Sequence, residues 1–323
     1  MTTPEARDLT TDGRRLLLAA STGGHLAQLV KLSTRLGVSN DSLWVTFDTP
    51  QSQSLLKGKQ VFWVPYIAPR DYRGAITAYR MIRKELKSRG QFEEAISTGA
   101  AIALPALLSA RLRGIPARYI ESVSRTDGPS LSGRMIALSR CAKLEAQHRK
   151  WAKGRWKYGG TVLDTYESVD VSAERSSPPA EMKLFVTLGT IRPYRFDRMI
   201  DAVLALGIAN EQTVWQVGVT NRTNLPGRVT ESVSSSEFDQ LVLESDVTLT
   251  HSGVGSIMRI LDLGKSPVVI PRARRRNEHV DDHQEQIAAL LRERKLGVVA
   301  DADSLALDDL LTAQSVAVKT LSR

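Results

Sequence analysis

Cysteine is nearly absent. Cys141 is the single one in 323 residues, so an internal disulfide and a thiolate metal cluster are both excluded, and a reducing compartment is the default. Long hydrophobic runs are missing too. The longest uncharged apolar stretch, residues 95–110, is about 16 residues and contains Pro105, short of the ~18–20 needed to cross a bilayer. Residues 1–13 are polar and lack the basic start and apolar middle of a secretory leader, so a soluble or peripheral protein that is not exported is expected. Aromatics are scarce at 6%, and no helix-turn-helix, zinc-finger or RNP-type pattern is found, so no nucleic acid partner is expected. What remains is ordinary globular composition, 42% hydrophobic and 24% charged, long enough for two cores of about 150 residues.

Charge is unevenly divided. Residues 1–167 hold 26 Lys and Arg against 14 Asp and Glu, whereas residues 168–323 hold 18 against 21. A basic half joined to a near-neutral half points to an anionic partner for the first. Its basic residues fall in two clusters, one from Arg70 to Arg89 and one from Arg134 to Lys157 interleaved with Trp151 and Trp156. Basic residues and tryptophans both favour an anionic membrane surface, at about 1 kcal/mol per basic side chain.

Apolar periodicity alternates between strand and helix from Arg14 onward. Short strands are expected at 14–20, 42–47, 61–64, 95–98 and 118–121. A basic amphipathic helix is expected over 73–89 with Ile76, Tyr79, Ile82 and Leu86 on one stripe. Residues 168–181, with Pro178-Pro179 and no periodicity, read as a linker. The rhythm then restarts, with strands at 183–187, 214–217, 247–250 and 267–270 and helices between them. The expectation is an α/β protein of two doubly wound, Rossmann-like domains with parallel sheets, residues 14–167 and 182–315. In such sheets ligands bind at the carboxyl ends of strands, here in the cleft between domains.

Four loops at strand ends can carry chemistry. Ser21-Thr22-Gly23-Gly24-His25 lets the backbone approach a ligand closely and puts an imidazole at a helix start, where it can take a proton near neutral pH. Thr187-Leu188-Gly189-Thr190 is the equivalent loop of the second domain. His251-Ser252-Gly253-Val254-Gly255-Ser256 is a small-residue nest suited to an anion, above all a diphosphate. The fourth, Asn277-Glu278-His279-Val280-Asp281-Asp282-His283-Gln284, follows Arg272 and Arg274–Arg276. His279 and His283 are four apart, but the run is HVDDH without a third ligand, so a polar helix start that binds sugar hydroxyls is expected there, and no metal site. None of the loops fits the dinucleotide fingerprint or a Walker motif.

Taken in order, these segments resemble glycosyltransferases. Ser21-Thr22-Gly23-Gly24-His25-Leu26, Ile120-Glu121-Ser122 and Ser130-Leu131-Ser132-Gly133 resemble the acceptor-side subunit of the two-part UDP-GlcNAc transferase of the dolichol pathway. Phe185–Thr190, Phe196–Ile200 and His251–Met258 resemble its catalytic subunit, which carries a glycosyltransferase family 28 C-terminal domain. The stretch 271–284 looks most like the paired bacterial exopolysaccharide glycosyltransferases. Both halves lie here in one chain, in the MurG-like order.

The resemblance implies a GT-B fold, two Rossmann-like domains facing an interdomain cleft, and an inverting transfer from a UDP-sugar to a polyprenyl-linked saccharide acceptor, with GlcNAc the first choice of sugar. It implies that His25 is the acceptor-side base in the loop of Thr22, Gly23 and Gly24, and that Glu121 orients helix ends or the acceptor. Donor contacts are implied for Gly189, Thr190, His251, Ser252, Gly253, Gly255 and Ser256 at the phosphates and for Asp282, His283 and Gln284 at the sugar. Arg259 stands where relatives often have a ribose-binding glutamate; a guanidinium cannot accept from hydroxyls, so a phosphate contact and a solvent-facing side chain are both open. No cofactor is required, the UDP-sugar being a substrate, and a divalent metal is left open. The expected location is the cytoplasm, peripheral at the inner face of the plasma membrane. The rival readings are a nucleotide-sugar 2-epimerase of the same architecture and a non-catalytic nucleotide-sugar-binding partner subunit.

Overall fold

The structure is a computed structural model that describes residues 13–68, 70–172, 178–189, 193–279 and 283–321. The chain forms two compact units, Met1–Ser122 with Asp127–Val162, and Val123–Thr126 with Leu163–Arg323.

The first unit alternates strands and helices: β1 (Leu16–Ala20), α1 (Gly24–Arg35), β2 (Leu43–Phe47), α2 (Pro50–Leu55), β3 (Gln60–Val64), α3 (Tyr72–Ser88), β4 (Glu94–Gly99), α4 (Ala103–Arg111), β5 (Ala117–Ile120), α5 (Leu131–Ser139), β6 (Lys143–Ala146) and β7 (Trp156–Tyr158). The strands make one sheet in the order β3-β2-β1-β4-β5-β6-β7, and each pairing is parallel. β1 and β2 are buried along their whole length, because helices cover both faces, so their sequences are unbroken apolar runs rather than alternations. Strand order reverses between β1 and β4. The connections leaving these two strands diverge to opposite faces and open a crevice at their carboxyl ends.

Two expectations change in this unit. The buried stripe of α3 is Ala78, Ile82 and Leu86, at strict i, i+4, i+8 spacing; Ile76 lies two residues from Ala78, hence on the far side, and is exposed together with Tyr72. Trp151 and Trp156 do not face outward. Trp151 is buried, Trp156 packs on the main core, and Trp156 meets Trp151 and Tyr119 edge-on with ring centroids at 5.1 and 6.1 Å. Interior packing of aromatics near the sheet edge explains tryptophans amid lysines and arginines as well as a membrane surface does.

The second unit comprises β8 (Tyr166–Asp170), β9 (Leu184–Thr187), α6 (Asp197–Ala205), β10 (Val214–Gln216), β11 (Arg228–Thr230), α7 (Ser235–Glu244), β12 (Val247–His251), α8 (Val254–Asp262), β13 (Val268–Ile270), α9 (His283–Glu293), β14 (Val298–Val299), α10 (Leu307–Gln314) and β15 (Val316–Thr320). Its main sheet runs β11-β10-β9-β12-β13-β14, all parallel. β9 alternates sides: Leu184 and Val186 pack with α6 and α10, and Phe185 packs with α7 and α8. Order reverses between β9 and β12, which places the loops after them at the crevice of this unit. β8 pairs antiparallel with β15, so Ser168–Asp170, expected as the start of a linker, are strand. Among the described residues no helix is long and apolar enough to cross a membrane.

Candidate functional site

In the first unit, β1 ends at Ala20 and α1 starts at Gly24 with Gly23 as its N-cap residue and no side-chain cap. His25 is thus the second residue of the helix, half-buried. Its Nδ1 lies 2.6 Å from the Thr98 carbonyl oxygen. A carbonyl only accepts, so Nδ1 carries a proton, and in the neutral form of the ring the basic nitrogen is Nε2. The Thr98 hydroxyl returns a hydrogen bond to the His25 carbonyl at 2.7 Å, which fixes the helix start to the end of β4. Gly99 follows with φ +109°, and a Cβ there would lie 2.9 Å from His25 Cε1 and Nδ1. A glycine is required for the imidazole to sit against the strand end.

Glu121 does not reach this surface. It is fully buried at the end of β5, and its carboxylate accepts from Tyr119 Oη at 3.1 Å, Ser122 N at 3.1 Å, and Ser130 N and Oγ at 2.9 and 3.1 Å. Burial pushes its carboxyl up, against the opposing pull of these four donors. Ser130 in turn caps α5. Glu121 therefore pins both ends of the loop between β5 and α5. A second buried set joins this loop to the first: Gln28 Nε2 donates to the Gly24 carbonyl and to Ser122 Oγ, and Gln147 Nε2 donates to Gln28 Oε1 and to the Glu121 carbonyl.

In the second unit, β12 ends on His251, and α8 starts at Val254 with Gly253 as N-cap and no side-chain cap. Ser234 and Ser130 cap α7 and α5 through their hydroxyls; the first turn of α8 has no such cap, and the positive end of a helix suits an anion. Gly253, Gly255 and Ser256 are half-exposed there. The His251 ring lies between the two loops of the crevice, because a Cβ at either Gly189 or Gly253 would overlap it. Burial, aided by the charge of Arg272 and by His279, pushes the His251 imidazole down to about 3. The ring is neutral at physiological pH and acts as a spacer between glycines. Ser252 points inward, its hydroxyl donating to the Gln284 carbonyl at 2.7 Å.

Gln284, expected at the sugar, is buried, and its Oε1 accepts from Arg272 N at 3.0 Å. Arg259 does not face solvent freely. Its guanidinium forms a two-point ion pair with Asp239 of α7 and donates to the Ser235 carbonyl at 3.1 Å. Thr190 and Asp282 lie outside the described residues, as does the side chain of His283. No group of three metal-ligating side chains occurs among the described residues. Thr98 and Gly99 escaped the sequence reading, although the small-residue run Ser97-Thr98-Gly99-Ala100 at a strand end was a visible signal. Arg272 escaped it as well, hidden in a run of arginines.

Residues 184–306 match the glycosyltransferase family 28 C-terminal domain, a span that contains Gly189, His251–Ser256, Arg259 and Gln284. Over 313 aligned residues the chain is 27% identical to the UDP-N-acetylglucosamine--N-acetylmuramyl-(pentapeptide) pyrophosphoryl-undecaprenol N-acetylglucosamine transferase of Parasynechococcus marenigrum (strain WH8102), covering 88% of this chain and 82% of that one. Among solved structures, Acinetobacter baumannii MurG superposes with a TM-score of 0.53 at 18% identity over 92% of this chain and 89% of that one. The Methanocaldococcus jannaschii UDP-GlcNAc 2-epimerase superposes with a TM-score of 0.54 at 11% identity over 93% and 91%; the fold alone thus does not separate transfer from epimerisation. The family match over residues 184–306 and the aligned relative favour transfer, and the chain is a glycosyltransferase with the GT-B fold.

Proposed function

We propose that the protein transfers GlcNAc from UDP-GlcNAc to a polyprenyl-linked saccharide acceptor, with inversion, in cell-surface polysaccharide or glycolipid assembly. The observation that supports this reading is the geometry of His25: the Thr98 carbonyl accepts from Nδ1 at 2.6 Å, which makes Nε2 the basic nitrogen of the neutral ring, proposed as the base for an acceptor hydroxyl. His25 takes the hydroxyl proton as the oxygen attacks the anomeric carbon. The bond from that carbon to the diphosphate breaks, and UDP departs with the electron pair. First-turn N–H groups of α8 stabilise the leaving phosphate without reorganising during the step, worth several kcal/mol. Glu121 positions the loop between β5 and α5 and takes no proton. The acceptor's lipid anchor calls for attachment at the inner leaflet. The exposed face of α3, where Tyr72 and Ile76 lie among Arg73, Arg80, Arg83 and Lys84, supports peripheral binding to anionic lipid.

The test is to incubate the full chain with UDP-GlcNAc and a polyprenyl-diphosphate saccharide and to measure UDP release. Acceptor-dependent release with a new β-linked product is expected. Conversion of UDP-GlcNAc to its 2-epimer without acceptor, or UDP binding with no turnover of any UDP-sugar, would overturn the proposal in favour of an epimerase or a binding subunit.

A further inference from the structure

Four arginines follow β13, and they do different things. Arg274 and Arg275 are exposed, and Arg276 pairs with Asp303. Arg272 is 1% exposed. Its Nη2 donates to the Leu188 carbonyl at 2.6 Å, and its Nη1 is shared among the carbonyls of Tyr194, Arg195 and Glu278 at 3.1, 3.2 and 3.1 Å. The guanidinium plane lies over the Phe196 ring at 4.6 Å. Its backbone N–H is held by Gln284 Oε1. Among the described residues no carboxylate hydrogen-bonds this guanidinium. Glu278, whose charge acts on it, gives its oxygens to Arg198 and to the Ala273 N–H.

A buried charge held by backbone carbonyls through its two Nη groups, with Nε left without a partner among the described residues, is costly unless it fixes something. Here it fixes three pieces of the donor crevice. Leu188 precedes Gly189, which lies against the His251 ring. Tyr194 and Arg195 lead into α6, and Glu278 and Gln284 lie on either side of the start of α9. A fork of five N–H donors in one plane can hold carbonyls arriving from several directions, and an ammonium with three cannot reproduce that geometry.

We propose that Arg272 is a positioning residue for the UDP-sugar, clamping the loop after β9 and the approach to α9 so that Gly189, His251 and Gly253 keep the spacing a diphosphate requires. This rests on the reading of the second unit as the UDP-sugar site. Arg272 touches no substrate atom and acts through the loops it holds.

The experiment compares wild type, Arg272→Lys and Phe196→Leu in UDP affinity by calorimetry, in steady-state kinetics and in thermal melting. Wild-type binding of UDP tests the site itself. Given that binding, Arg272→Lys is expected to raise both UDP Kd and donor KM at least tenfold, with kcat lowered less than threefold and acceptor KM unchanged. Phe196→Leu removes the ring face beneath the guanidinium and is expected to raise donor KM about threefold to fivefold. If Arg272→Lys folds with UDP Kd and donor KM within twofold of wild type, Arg272 is only a stabilising residue and the proposal is wrong, however far the melting temperature falls. If that variant does not fold, Phe196→Leu decides alone, and an unchanged donor KM refutes the clamp.

Discussion

Replacing Gly99 by alanine probes the proposed base, His25, without touching it. A Cβ at this position lies 2.9 Å from Cε1 and Nδ1 of His25, so the ring must retreat by about 0.5–1 Å to regain ordinary contact, and its 2.6 Å hydrogen bond to the Thr98 carbonyl is broken or bent. The φ of +109° adds about 1–3 kcal/mol of strain to the folded state. A misplacement of about 1 Å at a reacting group costs on the order of a hundredfold in rate. His25→Ala removes the base outright, at about 10²–10⁴-fold, or about 3–5 kcal/mol in the barrier. Both variants are expected to bind UDP as wild type does. The double variant supplies the sharpest check: once the imidazole is gone the added methyl has nothing to displace, so Gly99→Ala in the His25→Ala background should slow turnover no further. Acceptor-dependent UDP release gives kcat and calorimetry gives the UDP Kd. A folded Gly99→Ala with kcat within threefold of wild type would refute the role of His25, as would fully additive losses.

Three more expectations follow from other side chains. Because the folded His251 sits at about 3 against 6.5 for an unperturbed imidazole, the unfolded chain takes up that proton first, and stability drains as pH falls from about 6.5 toward 3; urea unfolding between pH 6.5 and 4.5 should therefore have a slope shallower by about 1.4 kcal/mol per pH unit in His251→Asn, and an equal slope would show that the ring is not held neutral. Arg259→Ala should lower stability by no more than about 1 kcal/mol, since its pair with Asp239 is partly exposed, and should leave UDP affinity within twofold; a tenfold weakening would put the guanidinium on a phosphate. Reversing Arg73, Arg80, Arg83 and Lys84 to glutamate should abolish salt-sensitive flotation with anionic vesicles, each lost charge counting about 1 kcal/mol, and undiminished flotation would place attachment elsewhere.

The loops were legible because the physics that builds them is local. A strand end, a pair of glycines and a polar helix start are neighbours in sequence, so Gly23-Gly24-His25 and His251–Ser256 stand out without any knowledge of packing. Long, fully buried strands such as β1 and β2 were legible for the same reason. What stayed hidden was set by partners far along the chain. β6 and β7 are four and three residues long, and the tryptophan and charges near them suggested a surface, whereas Trp156 is half-buried against the core, edge-on to Tyr119 and Trp151. For Glu121 the expectation left helix ends and acceptor both open, because its four donors come from residues on both sides of a loop. Ser252 and Gln284 turn inward, the serine onto the Gln284 carbonyl and the glutamine onto the Arg272 N–H, pairings that no spacing rule reveals. Arg272 and Arg275 are indistinguishable by composition and opposite in burial, since only the carbonyls of Leu188, Tyr194, Arg195 and Glu278 select between them.

The two crevices use one device with different fillings, and the fillings support the proposed division of the chemistry. Each has a strand ending at a switch in sheet order, a glycine N-cap and a helix without a side-chain cap. In α1 the second residue is His25, an imidazole whose proton is parked on Nδ1, so the positive helix end lies beside a group able to accept a proton. In α8 the first turn offers only Val254, Gly255 and Ser256, and the nearby imidazole of His251 is kept neutral by burial and by Arg272. A base must exchange protons near neutral pH, and a leaving-group site should not. Exchanging the two functions would put the base where its imidazole is held down to about 3, three decades or more from the working range. The electrostatics therefore favour deprotonation of the acceptor in the first unit and departure of the diphosphate in the second.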